Sequence, residues 1–165
     1  MSKNLSIWLM PTKADTKYLN GIISQLSQDY DSDYFSPHIT LYSPLCGLSK
    51  YIEENIGELS KNLLPVDVTV KKIGYTNNIW KTLFVDVEIS PELTDIQSTL
   101  LNYIPNKKIY QFLPHISLIY KKLSLEQKKK IIKKIVLKKY FTMDKIAIVE
   151  TVKEINDWKI FYLSK

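Results

Sequence analysis

The feature that most constrains this chain is a seven-residue motif that occurs twice. Residues 35–41 read FSPHITL and residues 112–118 read FLPHISL, so both copies have the form F-x-P-H-I-(S/T)-L. The 165-residue chain contains only two histidines, His38 and His115, and each lies in one copy. With proline at roughly 5% of residues, proline before both histidines has a chance of about 1 in 400. The repeat therefore indicates an internal duplication, and it predicts a fold built from two related halves.

The sequence around the two motifs predicts the same order of elements in both halves. Apolar periodicity and turn residues indicate strand, helix, strand, helix, strand in each half, followed by one extra strand. The predicted strands are 4–10, 38–43, 66–75, 82–89, 115–120, 145–152 and 158–164. The predicted helices are 15–30, 49–63, 91–104 and 124–139. No linker separates the halves, so we expect one domain over residues 1–165, of the α+β class.

Capping signals mark the predicted helix starts. The residues that carry them are Asp15, Ser49, Ser90 before Pro91, and Ser124 with Gln127 as a capping box. The last helix is rich in lysine, and its predicted buried stripe consists of Ile131, Ile132, Ile135 and Val136. We expect its lysines to form a solvated face, with contact to RNA or to an anionic surface as the alternative.

Composition excludes several classes of protein. Four glycines cannot form a Walker loop or a G-x-G-x-x-G fingerprint, and a single cysteine, Cys46, excludes a disulfide framework within the chain. No apolar run approaches the roughly 20 residues of a membrane span. The first residues also become polar too quickly for a signal peptide. We therefore expect a cytoplasmic protein without a membrane partner.

The net charge is basic and comes entirely from lysine. The chain has 23 lysines, no arginine and 17 acidic residues, for a net charge of +6. A positive surface attracts phosphate-bearing partners, but bidentate arginine clamps are not available here. Anion binding must then use lysines, hydroxyls and backbone N–H groups.

The spacing within each motif predicts which side chains share a face. In a strand, residues i and i+2 point to the same side of the sheet. His38 and Thr40 should therefore project together, while Ile39 and Leu41 point to the core. The second motif repeats this arrangement, with His115 and Ser117 on one face and the apolar residues behind them. If the halves pack about a pseudo-two-fold axis, the two imidazole–hydroxyl pairs face each other across a cleft.

Such a cleft suits chemistry at a phosphodiester. In-line displacement at phosphorus needs a base on the attacking side and an acid on the leaving side, and two imidazoles can divide those roles near neutral pH. The two hydroxyls can hold the non-bridging oxygens. No metal is needed, and the supply of metal ligands is poor. The two motifs are nearly equivalent, so they do not tell which histidine is the acid and which the base.

The residues above carry a resemblance to a known family. PHITL and PHISL resemble the paired H-x-(S/T) signatures of the two-histidine phosphoesterase superfamily, and most closely its 2′,3′-cyclic phosphodiesterase branch. Three further features are similar: Trp8 in a first strand of S-I-W-x-x-P type, Tyr120 after the second motif, and the strand KIAIVET near the C-terminus. The resemblance covers nearly the whole chain.

The resemblance implies a fold and an activity. The fold is bilobal, with two antiparallel sheets lining a central cleft and helices outside. The activity is metal-independent and cofactor-free hydrolysis of a nucleoside 2′,3′-cyclic phosphate, or of ADP-ribose 1″,2″-cyclic phosphate, to a monoester in nucleotide or RNA metabolism. His38 and His115 become the acid–base pair, and Thr40 and Ser117 hold the phosphate. Many members of the superfamily have arginine near the cleft and this chain has none, which favours a small substrate. We also expect the protein to be a monomer.

Aromatic residues near the motifs are candidates for substrate binding. The resemblance implies that Trp8 and Tyr120 line the substrate site. Tyr42 follows Thr40 by two residues, so strand alternation predicts that it faces the side of His38, where it could stack on a base. Tyr120 follows Ser117 by three residues, so only a bend or the strand end would bring it into the cleft.

Other functions compete with this interpretation. The same cleft could degrade a cyclic oligonucleotide or act on the 2′,3′-cyclic end of an RNA. A third hypothesis is a nucleotide-binding or RNA-end-binding module without turnover, and a fourth is an α+β domain with no site. Both motifs retain histidine and hydroxyl, which favours an enzyme.

Overall fold

The computed structural model describes residues 4–164 and contains strands and helices in the predicted order. The strands are β1 Asn4–Pro11, β2 Ile39–Cys46, β3 Val66–Tyr75, β4 Leu83–Val87, β5 His115–Ile119, β6 Tyr140–Glu150 and β7 Lys159–Leu163. The helices are α1 Lys13–Tyr30, α2 Lys50–Leu63, α3 Pro91–Asn102 and α4 Leu125–Lys134. One-turn 3₁₀ helices at Ile79–Lys81 and Ile155–Asp157 precede β4 and β7. The predicted α+β class is confirmed.

The strands form an antiparallel sheet with the order β1-β2-β5-β4-β3-β6-β7. β1 also pairs with β6, so the first six strands of this order form a closed ring of strand pairings. The two sheets expected from the sequence are thus joined at two places. The long strand β6 pairs with β3 through its first residues and with β1 along most of its length, and β2 contacts β5 through the pair Ile39 and Ile116.

The strand pairings show a pseudo-two-fold arrangement of the two halves. Within the halves, β1 pairs with β2 and β4 pairs with β5. Between the halves, β3 pairs with β4 and β6 pairs with β1. Equivalent strands also meet directly, as β2 with β5 and β3 with β6. Ile39 and Ile116 hold the same position in the two motifs, and each directly follows the histidine of its motif. Their pairing therefore brings His38 and His115 to neighbouring positions on the sheet.

The apolar residues of the motifs belong to the hydrophobic core. Ile39, Leu41, Ile116 and Leu118 are all completely buried, as the alternation of the motifs predicts. Burial of a side chain of this size stabilises a fold by about 1.5–3 kcal/mol. The core therefore fixes β2 and β5 from behind, and it leaves the histidine and hydroxyl side chains on the opposite face.

The predicted caps of three helices are confirmed, and the fourth is wrong. Ser49, Ser90 and Ser124 each accept a hydrogen bond from a backbone N–H in the first turn of their helix. α1 instead starts from Thr12, whose hydroxyl accepts from the backbone N–H of Asp15. Asp15 is buried, and its carboxylate forms an ion pair with Lys138 and accepts a hydrogen bond from the backbone of β6, which offset the cost of burial.

Helix α4 is shorter than predicted. It ends at Lys134, because residue 135 adopts extended backbone and leads towards β6, which begins at Tyr140. Val136 therefore lies outside the helix and is 83% exposed, so its place in the buried stripe was predicted wrongly. Lys128 departs from the expected solvated face, since its side chain is buried. Within residues 4–164, no helix is long and apolar enough to cross a membrane.

Candidate active site

The two imidazole–hydroxyl pairs line one cavity of about 570 Å³. Its walls include His38 and Thr40 from the first motif, and His115 and Ser117 from the second. Trp8 and Tyr120 line it as well. The structure therefore brings together six of the seven residues that the sequence singled out, and the seventh, Tyr42, lies elsewhere.

Each motif has an aromatic neighbour on the adjacent strand. Trp8 of β1 is paired with Thr40, and Phe84 of β4 is paired with Ser117. Trp8 and Phe84 thus hold equivalent positions in the two halves. On its other side each aromatic faces a small residue, Ala147 for Trp8 and Gly74 for Phe84.

Both imidazoles are oriented by the same hydrogen bond. Nδ1 of His38 lies 2.7 Å from the carbonyl oxygen of Ser36, and Nδ1 of His115 lies 2.7 Å from the carbonyl oxygen of Leu113. A carbonyl only accepts, so Nδ1 must donate and carries the hydrogen in the neutral ring. Nε2 of each ring then keeps the lone pair that a general base needs.

His38 is surrounded by aromatic rings. The indole of Trp8 stacks on its imidazole with centroids 3.6 Å apart and planes 6° from parallel, and Phe35 and Trp158 contact it edge-on at 6.5 Å. Burial lowers the pKa of His38 to about 4, while the Ser36 carbonyl opposes this shift and His115 adds to it. His38 is therefore neutral near pH 7 in the free protein.

His115 has more polar surroundings. Its ring meets Phe84 edge-on with centroids 5.4 Å apart, and its side chain is only partly buried. Burial lowers the pKa of His115 and the Leu113 carbonyl counteracts this. Lys81 lowers the pKa further, whereas Asp86 raises it. The nearby carboxylate and the lesser enclosure distinguish His115 from His38.

Tyr120 enters the cavity because it lies just beyond the end of β5, where strand alternation no longer applies. Its ring stacks on Phe35 with centroids 4.1 Å apart. Burial raises the pKa of Tyr120 to about 12, and a hydrogen bond with Ser117 opposes that shift. The phenol therefore stays neutral and contacts one of the two motif hydroxyls.

Tyr42 does not face the cleft, which corrects the prediction from strand alternation. The pairing of β1 with β2 is irregular at this point, since Trp8 pairs with Thr40 but Ile7 pairs with Tyr42. The extra residue of β2 reverses the direction of the next side chain. Tyr42 is 2% exposed in the core, and its hydroxyl accepts a hydrogen bond from the backbone N–H of Lys108.

Two tryptophans of the cavity, Trp80 and Trp158, were not predicted. Trp80 belongs to the one-turn 3₁₀ helix before β4, and Trp158 directly follows the one before β7. Each tryptophan is followed by a lysine. The segments WKTLFV from residue 80 and WKIFYL from residue 158 are similar and lie 78 residues apart. This second repeat is the sequence feature that could have identified the two tryptophans. In the structure their indoles stack with centroids 6.2 Å apart.

One end of the cavity is rich in hydroxyl groups. Oγ of Ser6 lies 2.8 Å from Oγ of Ser43 and 3.3 Å from Oγ1 of Thr151. Lys153 lines the same cavity and adds a positive charge. Across residues 4–164, no group of three or more histidine, cysteine, aspartate and glutamate residues is placed to hold a metal ion.

Sequence comparisons match this chain to phosphoesterases. Residues 20–154 match the family model of the 2′-5′ RNA ligase superfamily. A Bacillus mycoides protein named as a phosphoesterase is 29% identical over 120 residues, which are 69% of this chain and 67% of that protein. A cyclic phosphodiesterase of Arabidopsis thaliana is 19% identical over 124 residues, which are 75% of this chain and 68% of that protein.

Solved structures with the same fold cover nearly the whole chain. A protein of Thermus thermophilus superposes with a TM-score of 0.60 at 13% identity, over 98% of this chain and 96% of its own. E. coli LigT in complex with 3′-AMP superposes with a TM-score of 0.59 at 10% identity, over 99% of this chain and 97% of its own. At these identities the likeness establishes the fold.

Proposed function

The chain is a phosphoesterase of the 2′-5′ RNA ligase superfamily, and from this premise we propose that it hydrolyses a ribose cyclic phosphate to a monoester. The substrate is a nucleoside 2′,3′-cyclic phosphate or ADP-ribose 1″,2″-cyclic phosphate. The observation that carries the proposal is the placement of two imidazole–hydroxyl pairs, from equivalent strands, on the wall of one cavity. The cyclic phosphodiesterase among the relatives supports the reaction class, and the LigT complex with 3′-AMP supports a nucleotide ligand.

The reaction needs two proton transfers at opposite sides of phosphorus. One imidazole takes a proton from water through Nε2 as the water oxygen bonds to phosphorus. The bond from phosphorus to one ribose oxygen breaks, and the second imidazole gives that oxygen a proton. A monoester and a ribose hydroxyl result. The Nδ1 bonds to Ser36 and Leu113 keep both Nε2 atoms available for these transfers.

The unequal surroundings of the two imidazoles support a division of the two roles. His38 is enclosed by aromatic rings and resists a charge, so it serves as the base that receives the water proton only in the transition state. His115 is less enclosed, and although burial and Lys81 lower its pKa, the carboxylate of Asp86 opposes that shift. The negative charge of the bound phosphate favours the imidazolium, so we assign His115 the role of the acid.

Hydroxyl groups and lysine replace arginine in phosphate binding. Thr40 and Ser117 hold the non-bridging oxygens from the two sides of the cleft, and Tyr120 orients Ser117 through their hydrogen bond. Lys81 supplies positive charge close to His115. This arrangement stabilises charge on the phosphoryl oxygens without a metal ligand set.

The proposal is tested with purified protein treated with EDTA and incubated with 2′,3′-cyclic AMP, with product separated by HPLC. We expect a nucleoside monophosphate from the wild type, and losses of about 10²–10⁴-fold in His38→Ala and His115→Ala, the usual size of a general acid or base contribution. Thr40→Ala and Ser117→Ala should lose about 10-fold or more, against Ser98→Ala on the exposed face of α3 as the matched control. Absence of turnover on 2′,3′-cyclic AMP and on ADP-ribose 1″,2″-cyclic phosphate would refute the proposal.

A second candidate is the 2′,3′-cyclic end of an RNA chain. The hydroxyl-rich end of the cavity, with Ser6, Ser43 and Lys153, offers donors for a further phosphate beside the reacting one. A dinucleotide ending in a 2′,3′-cyclic phosphate would then have a lower KM than the mononucleotide. Lys153→Ala should remove that difference without changing turnover of 2′,3′-cyclic AMP.

A further inference from the structure

We propose that Trp80 and Trp158 form a stacking subsite for the nucleobase of the substrate, so that the enzyme selects a cyclic phosphate whose own ribose carries a base. The inference rests on the proposed function, because it concerns the same cavity. It separates two substrate classes between which the two imidazole–hydroxyl pairs alone do not decide, namely nucleoside 2′,3′-cyclic phosphates and ADP-ribose 1″,2″-cyclic phosphate.

The two tryptophans form a joint aromatic wall beside the histidines. Their indoles stack with centroids 6.2 Å apart and planes 24° from parallel, and both line the cavity that contains His38 and His115. Trp158 also meets the imidazole of His38 edge-on at 6.5 Å. A ligand held between the imidazoles therefore has aromatic surface within reach.

Trp80 offers an open face for stacking. Its side chain is 49% exposed, although it belongs to the wall of a cavity. Trp8 is different, since only 3% of it is exposed and one face is covered by the imidazole of His38. The platform for a base is thus the exposed tryptophan of the 3₁₀ turn, and Trp8 orients the imidazole.

The segment that presents Trp80 is held in place before any ligand binds. The hydroxyl of Thr76 donates to the carbonyl of Lys81, and Oδ1 of Asn78 accepts from the backbone N–H of Trp80. Nζ of the buried Lys128 donates to the carbonyl of Thr76 at 2.8 Å and to Oδ1 of Asn77 at 3.0 Å. Such anchoring lowers the entropic cost of binding, because little remains to be ordered.

Trp158, which lies just before β7, is anchored in a comparable way. Its Nε1 donates to the carbonyl of Val152 at 2.9 Å, and its ring meets Tyr120 edge-on at 5.9 Å. The two indoles come from the repeated W-K segments, which precede β4 and the extra strand β7. An aromatic wall beside a phosphate site fits a base, which stacks regardless of its identity.

The position of the base in the substrate decides between the two classes. In a nucleoside 2′,3′-cyclic phosphate the base is bonded to C1′ of the ribose that carries the phosphate. In ADP-ribose 1″,2″-cyclic phosphate the carbon C1″ carries the phosphate itself, so that ribose has no base. Only the first class places an aromatic group next to the reacting phosphorus, where Trp80 and Trp158 can contact it.

The test measures binding apart from turnover, by calorimetry with 3′-AMP and with inorganic phosphate. We expect Trp80→Ala to raise the Kd of 3′-AMP at least about tenfold and to leave the Kd of phosphate within about twofold. Trp80→Phe should recover most of the affinity. Tyr51→Ala, which removes a 58% exposed aromatic from α2, is the matched control and should bind as the wild type. Trp158→Phe tests the second indole with a smaller risk to packing than alanine.

The outcomes separate this inference from the proposed function. Unchanged binding of 3′-AMP by Trp80→Ala, or an equal loss for 3′-AMP and phosphate, would overturn the stacking subsite even if turnover is observed. Turnover of ADP-ribose 1″,2″-cyclic phosphate with a kcat/KM above that of 2′,3′-cyclic AMP would overturn it as well. Tryptophan-dependent binding of 3′-AMP by a protein without turnover would support the subsite and refute the hydrolase.

Discussion

Trp8 lies flat against the imidazole of His38, whereas the ring that contacts His115, that of Phe84, meets it edge-on. Phe84 is the residue equivalent to Trp8 in the second half, since each pairs with the hydroxyl residue of its motif. Two histidines with the same motif therefore have different electrostatic surroundings. The proposed division into an acid role and a base role rests on this difference at single residues.

Burial of His38 makes the stability of the protein depend on pH. Its pKa is 6.5 in the unfolded chain and about 4 in the folded protein, so between these values the unfolded state binds more protons. Stability therefore rises with pH through this window and is lost as the pH falls from 6.5 towards 4. The loss from His38 is about 2 kcal/mol between roughly pH 7.5 and pH 5.

The measurement is urea unfolding of the wild type and of His38→Gln over that pH range. We expect the variant to lose less stability on acidification than the wild type by about that amount. His115, whose pKa is also lowered, contributes a loss in the same direction to both proteins. Parallel curves for the two proteins would show that His38 is not buried as a neutral ring.

Among the elements, the hairpin of β3 and β4 fixes the aromatic neighbour of His115. Gly74 lies under Phe84, and a Cβ atom at residue 74 would lie 2.4 Å from Cζ of Phe84. Since the ring cannot stay in place beside an added methyl group, we expect Gly74→Ala to cost about 1–3 kcal/mol of stability. It should also lower kcat, because Phe84 contacts His115.

A matched glycine lies in α1, where the effect should have the opposite sign. A Cβ atom at Gly21 would meet no atom within 4 Å, and alanine is favoured over glycine inside a helix by about 1 kcal/mol. Gly21→Ala should therefore raise the melting temperature and leave kcat unchanged. Equal destabilisation by both substitutions would contradict the close contact at Phe84.

Helix α4 anchors the segment that carries Trp80 through one side chain, Lys128. Replacing it by methionine leaves the carbonyl of Thr76 without its donor, which costs about 1–3 kcal/mol. We expect Lys128→Met to increase amide hydrogen exchange in residues 76–82, and to raise the KM for 2′,3′-cyclic AMP more than it lowers kcat. Lys129→Met, one residue along on the exposed side of the helix, is the control. Unchanged exchange in that segment would show that Lys128 does not anchor it.

Taken as a whole, the molecule is a duplicated α+β body in which equivalent strands meet near the site. The order of elements and the faces of His38 and His115 followed from the sequence, because each motif combines strand alternation with buried apolar residues. The direction of Tyr42 did not follow, since a bulge depends on the register between two strands. The end of α4 was also missed, because the pattern of lysine and isoleucine continues past Lys134, where the chain turns towards β6.

The contact between Trp80 and Trp158 depends on strand pairing between distant parts of the chain. The repeated W-K segments were visible in the sequence, but they are short and lie outside the motif that carries the histidines. Only the pairing of the sheet brings the two 3₁₀ turns to one cavity. The two joined sheets arise in the same way, through the contact between Ile39 and Ile116 and through the length of β6.

The central claim is that the two histidines act together as one acid–base pair across the cleft. The most direct measurement compares kcat for 2′,3′-cyclic AMP in the wild type, His38→Ala, His115→Ala and the double variant. When two groups act in the same transition state, removing one of them already abolishes most of the contribution of the other. We therefore predict that the double variant is about as slow as the slower single variant. Multiplication of the two single losses in the double variant, or near-normal turnover in either single variant, would contradict the account.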